Sequence, residues 1–427
     1  MPALIRVLAS LSVLSLTASA QEVPATPAPA SGLHWKDLIA DPGHIRFYGF
    51  LRLDAQYDDS RASNGQTIGW VLSEDPLAAT GPGSPGVPGA PGGGEKNREN
   101  LGLHPRLTRF GLDVDGGEVA SLGAAKVTGK IEIDFYNSGL TGQSESRAAI
   151  RMRHAYLKLG WTDWTLLCGQ TNDVISPLFP VVNADLVMWG AGNLGDRRPL
   201  ARLEWCAGIG EAKLTAQTEV GLTGAVDNQN LDTAAGASST RDGEASGLPT
   251  VQARVALAFP IASQKAEIGV WGHQGWETTD TGVGASGERD FESDAYGVDV
   301  SLPLFRDIVR LQGEAWQGKN LDDVRGGIFQ GINSTTGSEI DSSGGFAELG
   351  VKITAHNTLY AGVSRDNPES GDVALGGRAD NKVWYLASRW NHKPVTFGLE
   401  YLNWTTKFVG FNEGTDNRFV AFIAYNF

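Results

Sequence analysis

The segment Phe419-Val420-Ala421-Phe422-Ile423-Ala424-Tyr425-Asn426-Phe427 alternates with a period of two. Phe419, Ala421, Ile423, Tyr425 and Phe427 share one face. A strand of this kind needs a partner on each edge, because unpaired backbone N–H and C=O groups cost several kcal/mol wherever water is absent. The same period recurs upstream. Val127, Gly129, Ile131, Ile133 and Phe135 oppose Lys130, Glu132 and Asp134. Ala347, Leu349, Val351 and Ile353 oppose Glu348 and Lys352, and Val309, Leu311, Gly313 and Ala315 oppose Arg310, Gln312, Glu314 and Trp316. Period two is the signature of a sheet whose faces meet different solvents.

Sixteen such segments are predicted: 44–59, 106–116, 126–138, 147–161, 164–172, 199–207, 213–224, 249–259, 265–277, 292–303, 307–319, 344–354, 357–367, 382–392, 395–408 and 417–427. The connections between them alternate in length. Long ones span 60–105, 139–146, 173–198, 225–248, 278–291, 320–343, 368–381 and 409–416. Short ones span 117–125, 162–163, 208–212, 260–264, 304–306, 355–356 and 393–394. One end of the sheet therefore bears long loops and the other tight turns, which a soluble Greek-key sandwich gives no reason for. Residues 1–20 read as a cleaved export signal: Arg6 is their only charge, Val7 to Leu16 is apolar, and Ala18-Ser19-Ala20 fits a cleavage site. No later run approaches the 18 apolar residues of a membrane-spanning helix. Together these features predict an all-β fold, a transmembrane antiparallel β-barrel of about sixteen strands over 44–427, in a bacterial outer membrane. Residues 21–43 would form a flexible periplasmic leader. The Gly/Pro-rich stretch Gly81 to Gly94 would lie in a mobile external loop, too short and irregular for a collagen helix.

The connection 173–198 is apolar for an external loop, with Val174, Ile175, Leu178, Phe179, Val181, Val182, Leu186, Val187, Met188 and Trp189. It is expected to fold inward and narrow the water-filled channel that sixteen strands enclose. Its candidate site residues are Asp173, Phe179, Asp185, Trp189, Arg197 and Arg198. With the apolar face taken as lipid-facing, the opposite face presents Arg52, Lys130, Arg151, Arg153, Arg202 and Arg254 in the first half of the chain. Comparable positions in the second half are Trp271, Asp299, Glu314, Glu348 and Glu400. The strand 147–161 is ambiguous: Ile150 and Met152 put its arginines inward, whereas Leu157 and Leu159 do not. Fixed charges on a pore wall set ion selectivity, and the planar guanidinium suits carboxylate and phosphate. The plainer reading of the same charges is cross-strand pairing, with Glu132, Asp134 and Glu204 available to neutralise them.

Arg151-Met152-Arg153-His154-Ala155-Tyr156-Leu157-Lys158, followed after Thr162-Asp163 by Cys168-Gly169-Gln170-Thr171, resembles the DcaP-like family of trimeric outer-membrane porins. Phe47-Tyr48-Gly49-Phe50-Leu51-Arg52-Leu53-Asp54 is similar to that family's first strand, and phosphate-type porins share the general pattern. The motifs span about 125 residues, 47–171. The resemblance implies a homotrimer that admits small anions, notably dicarboxylates, past a constriction loop. The chain departs from some members in lacking a helical coiled-coil N-terminal segment and in its Gly/Pro insertion.

The expected partners are thus small anionic or polar solutes, with outer-membrane lipid and lipopolysaccharide around the barrel. Acid-rich loops at Asp227 to Asp232 and Glu288 to Asp294 are alternative sites for divalent cations. A net charge of −14 argues against nucleic acid. Trp271, Trp316 and Trp390 read as lumen-facing, which keeps a saccharide-selective or unselective porin as the alternative. Trp161 and Trp164, flanking a turn, read as interfacial. The two cysteines, Cys168 and Cys206, fall on adjacent strands, and a disulfide is left open. No Gly-x-Ser-x-Gly, His-Glu-x-x-His or Cys-x-x-Cys motif occurs, so no enzyme, metal site or cofactor is expected, a Ser–His barrel hydrolase being the remote alternative.

Overall fold

The computed structural model describes residues 45–80, 98–136, 146–223, 242–261, 264–305 and 308–427. The expected signal peptide, the leader, the Gly/Pro stretch and the Asp227 to Asp232 loop lie outside the described residues.

Sixteen antiparallel strands close into a barrel. They are β1 (Ile45–Asp58), β2 (in two segments, Asn100–His104 and Arg109–Val119), β3 (Ala125–Tyr136), β4 (Ala149–Gly160), β5 (Trp164–Asn172), β6 (Arg197–Ile209), β7 (Ala212–Gly221) and β8 (Thr250–Ile261) in the first half. The second half has β9 (Gln264–Val283), β10 (Glu288–Leu304), β11 (Val309–Lys319), β12 (Asp341–Lys352), β13 (Asn357–Pro368), β14 (Arg378–His392), β15 (Val395–Phe408) and β16 (Phe411–Asn426). β1 closes the ring by pairing with β2 on one edge and with β16 on the other, in the register Phe50↔Asn426 to Asp58↔Arg418. Gly49 and Phe427 exchange both backbone hydrogen bonds at 3.1 Å, and the Phe427 ring stacks on Phe47 with centroids 5.3 Å apart. Among the described residues the barrel sheet has no open edge, which is the condition for a β-structure in lipid.

The apolar stripe faces outward. Leu51, Leu53, Leu112, Ile131, Val298, Leu349, Leu386, Leu399 and Phe419 are exposed, whereas Asp54, Glu132, Asp134, Asp299, Glu314, Glu348 and Glu400 are buried within the lumen. Such an inside-out distribution suits hydrocarbon outside and water or protein inside. Trp161, Trp164 and Trp205 gather at the short-turn end, as an interfacial girdle does. Described residues contain no helix long and apolar enough to cross a membrane, which says nothing about strands.

Three expectations about connections change. β9 and β10 run on to a four-residue turn, 284–287, and β15 and β16 to a two-residue turn, so the predicted loops 278–291 and 409–416 are mostly strand. The acid-rich segment Glu288 to Asp294 is accordingly the start of β10, where Lys319 reaches Glu292, Asp294 and Glu339. The first long loop is not wholly external: Ile68 and Val71 are fully buried in a lumenal apolar cluster.

The ambiguity of β4 has a structural cause. The register shifts between Glu132↔His154 and Ile133↔Met152, leaving Arg153 as the extra residue of a bulge. Ile150 and Met152 point outward before the bulge and Leu157 after it, so Arg151, Arg153 and His154 all reach the lumen. Both halves of the conflicting pattern were correct, and one inserted residue reconciles them. Cys168 and Cys206 are free thiols. Cys168 is exposed on the outer face opposite Ala201, while Cys206 lies beside Glu204 on the inner one, so no bridge can form.

Candidate functional site

The loop between β5 and β6 folds across the lumen to the far wall. Three carboxylates there receive its backbone. Glu314 on β11 accepts Leu178 N at 2.7 Å and the Ser176 hydroxyl. Glu348 on β12 accepts Val181 N at 2.8 Å, and Glu400 on β15 accepts Asn183 N at 3.1 Å. Donors on the same wall take the loop's carbonyls: Gln312 to Phe179, Arg389 to Val181, Asn381 to Gly190 and Trp316 to Gly192, at 2.7–3.0 Å. Glu314, Glu348 and Glu400, lumenal acids of the second half of the barrel, are therefore the loop's anchorage.

Apolar residues of the loop divide between two clusters. Val174, Ile175 and Leu194 pack with Trp271, Trp316, Leu321 and Val324; Val182, Met188 and Ala191 pack with Ile68, Val71, Tyr385 and Trp404. Trp271 and Trp316 thus face inward as expected but lie under the loop. Trp390 differs from expectation. Its strand buries Val383, Tyr385, Ala387 and Arg389, so Trp390 points outward with Leu53, Leu103 and Phe397. The loop backbone comes close enough to demand glycine: a Cβ at Gly192 would lie 2.4 Å from Gly345 O, and Gly192 has φ +114°. Val187 and Met188 adopt left-handed φ of +46° and +65°, a strained conformation held by the surrounding anchors.

A third loop, 320–340, clasps the base. Arg198 is fully buried; its guanidinium binds Asp173 at 2.9 Å, Asp323 at 2.7 Å and the carbonyls of Leu222 and Asp323. Arg325 pairs with Asp196. Arg198 and Asp173, expected as constriction residues, thus staple the base of the loop. Burial and the neighbouring Asp323 push the Asp322 carboxyl up to about 7.

The near wall, β1 to β6, carries the cations. Arg151 binds Asp134 through two bonds of 2.8 and 2.9 Å. Arg153 bridges Glu132 and Asp134 at 2.8 and 2.9 Å, and Arg109 approaches the same two acids at 3.5 and 3.8 Å. Three guanidinium groups thus share two carboxylates. Arg197 adds a fourth: its guanidinium lies 5.3 Å from the Trp189 ring and has no carboxylate partner among the described residues. Arg153 and Arg151 head the charges that repel it. Within this cluster four positive charges face two negative ones, an excess of +2. Arg109 is not among the cations expected from sequence, although alternation with Gly111 and Asp113 places it on the inner face.

The other predicted cations are neutralised. Arg52 binds Asp54 at 2.8 Å beneath the Phe422 ring; Lys130 binds Asp113 and Tyr48, both at 2.8 Å. Arg202 pairs with Glu219 at 2.7 Å, and Arg254 is held by Asp299 and Glu267 at 2.6 and 2.8 Å. Arg202, Asp173, Phe179 and Trp189 line one cavity of about 220 Å³ between loop and near wall. Arg52 and Asp185 meet at a smaller one of about 20 Å³, where Asp185 is paired with buried Arg106 at 2.8 Å.

No family model and no curated protein matches the chain. Solved structures do. The outer-membrane channel DcaP of Acinetobacter baumannii superposes with a TM-score of 0.65 at 19% identity, covering 90% of this chain and 97% of that one. An anion-selective porin from Comamonas acidovorans gives 0.53 at 12% identity, covering 90% and 99%. Salmonella typhi OmpF, in complex with daunomycin, gives 0.55 at 10%, covering 90% and 97%. The fold is that of an outer-membrane porin. At these identities the likeness speaks for the architecture, a sixteen-strand barrel with an inward loop, and the chemistry of the lumen must be argued from this chain's own residues.

Proposed function

We propose that this protein is a porin of the bacterial outer membrane that passively admits small hydrophilic solutes and favours anions, dicarboxylates among them. The observation that carries the reading is the cluster of Arg109, Arg151, Arg153 and Arg197 set against only Glu132 and Asp134. Anions would be steered to this cluster where the loop narrows the lumen. There they exchange hydration water for charge-assisted hydrogen bonds weak enough to release. The far wall opposes this little, because Glu314, Glu348 and Glu400 are occupied by loop N–H groups. The DcaP channel and the anion-selective porin, similar in fold, support the same direction. A homotrimer is part of the proposal, supported by the resemblance and by the apolar outer face around the seam, including Leu101, Leu399 and Phe419. A saccharide track finds no support at Trp271 and Trp316, which the loop covers.

Single-channel recording in a planar bilayer under a salt gradient tests the reading. Stepwise channels with an anion-favouring reversal potential are expected. A cation-favouring potential would reject the anion assignment, and folded protein that forms no channel would reject the porin.

A further inference from the structure

On the outer wall over β11 to β15 the convex apolar surface is indented beneath a patch of positive charge. Ala315 on β11, and Gly345 and Ala347 on β12, are small residues at adjoining outward positions, Ala315 directly opposite Gly345 and Ala347 opposite Val363. They floor a depression of about 670 Å³ bordered by Val363, Trp384, Asn403 and Thr405. Val363 and Trp384 are exposed along its side. At its external end Arg365 of β13 and Lys382 of β14 stand directly opposite each other in register. Like charges so placed repel, and both side chains remain about half exposed, at 50% and 46%. One carboxylate serves both: Asp380 binds Arg365 at 2.7 Å and Lys382 at 2.9 Å. Lys407, exposed and opposite Asp380 in register, brings a third cation, with no ion-pair partner among the described residues. Three positive charges against one negative leave +2. The patch is local, since the external end of β10 and β11 carries the opposite sign in Glu292, Asp294 and Glu339 around Lys319.

These cations face away from the lumen, so passing solutes do not explain them. We propose that the depression and its rim bind a phosphorylated, acylated glycolipid of the outer leaflet. The placement rests on the outer-membrane reading above but not on anion selectivity. An acyl chain fills the indentation over Ala315, Gly345 and Ala347, which bulkier residues would close. The phosphate sits between Arg365 and Lys382, which reach up to the headgroup level along their apolar stems. There it relieves the repulsion that Asp380 alone half-neutralises, and the guanidinium fork donates to phosphate oxygens. Charge complementarity singles out this occupant: a second copy of the chain would have to bury two uncompensated cations against apolar surface.

The test uses the full chain in detergent, with bound lipid counted by native mass spectrometry during titration with diphosphoryl lipid A, its dephosphorylated form and phosphatidylglycerol. The wild type should hold the diphosphoryl form roughly tenfold more tightly than the dephosphorylated one, the weight of about one charge-assisted contact. R365Q/K382Q should abolish that ratio, and A347W should weaken retention of both forms. Heat-modifiable gel mobility confirms that each variant is a folded barrel. An unchanged ratio in R365Q/K382Q, or phosphatidylglycerol binding as tightly as diphosphoryl lipid A, overturns the proposal. So does an A347W variant that keeps its lipid but dissociates an oligomer, which would make the face a subunit contact. Wild-type protein that binds the lipid as expected but forms no channel would reject the porin reading alone.

Discussion

Arg197 offers the cleanest test of what sets selectivity, because it can be removed without orphaning an acid. Its guanidinium rests beside Trp189 and has no carboxylate partner among the described residues. Arg197→Gln should therefore subtract one of two excess charges and leave the Glu132–Asp134 network intact. A unit charge about 5 Å from a passing anion is worth roughly 0.8 kcal/mol at the dielectric of water and about 3 kcal/mol at an effective value of 20. The smaller figure already corresponds to about a fourfold fall in anion occupancy. The anion-to-cation permeability ratio, from reversal potentials in about 0.1 M KCl, should drop by about that factor or more. At 1 M salt, where the screening length shrinks to about 3 Å, most of the difference should vanish. Arg197→Lys should retain most of the preference. The more obvious targets serve less well. Arg52→Ala would strand Asp54, at 1% exposure, and Arg151→Ala would take from Asp134, at 0% exposure, its two-bond partner and leave it to Arg153, so both mix charge removal with structural rearrangement. An unchanged ratio in Arg197→Gln at low salt would refute the electrostatic argument, and a loss equally large at 1 M would assign the effect to shape.

Two further outcomes follow from the loop's attachments. Arg198→Ala removes the guanidinium that Asp173 and Asp323 share in the buried base of the loop, at a cost of about 3–5 kcal/mol; the thermal midpoint in detergent should fall, and a wild-type midpoint would show that Arg198 is no staple. Asp322 gives a pH dependence. Its carboxyl, ordinarily at 3.8 and raised to about 7 in the folded loop, holds a proton that the undocked loop releases. Docking of residues 320–340 should therefore be strongest below about pH 4, weaken as pH rises toward 7, and level off above. Amide exchange at Val324 and Arg325, corrected for intrinsic rate, reads this out, since their N–H groups bond Leu321 and Asp322 within the loop. Asp322→Asn should flatten the profile, and a flat wild-type profile would contradict the reasoning.

The barrel was legible because lipid and lumen impose opposite demands on successive residues. That constraint located sixteen strands, with Trp164–Asn172 and Val395–Phe408 found to the residue. It failed where the period breaks: at the bulge of β4, and at the interruption of β2 between His104 and Arg109. Inward folding of 173–198 was legible in its apolar content, since Val174, Ile175, Val182 and Met188 are all buried. The partners were not. Glu314 acts through Leu178, 136 positions away in sequence, and Glu400 through Asn183, 217 away. Periodicity places each side chain on a face but holds no information about which distant loop will meet it. Arg109 was recoverable by alternation, whereas the lone standing of Arg197 depends on which acids its neighbours have already taken.

That division of charges makes removal of the loop informative about more than pore width. Deleting Val174 to Trp189 takes away both donors now held by Glu314 and the Val181 N–H held by Glu348, which keeps Gln312 and Tyr385, while Glu400 keeps Arg389 at 2.5 Å. Two far-wall carboxylates then face open water. Asp185 leaves with the loop and frees Arg106, so the lumen gains two negative charges and one positive. Conductance should rise because the obstruction is gone, and anion preference should fall toward parity because the far wall regains its field. The Trp271 and Trp316 emission should shift to the red as their cover is lost. Unchanged conductance would mean that the loop does not narrow the channel. A wider channel with stronger anion preference would mean that the loop's N–H groups were never what quieted the acidic wall.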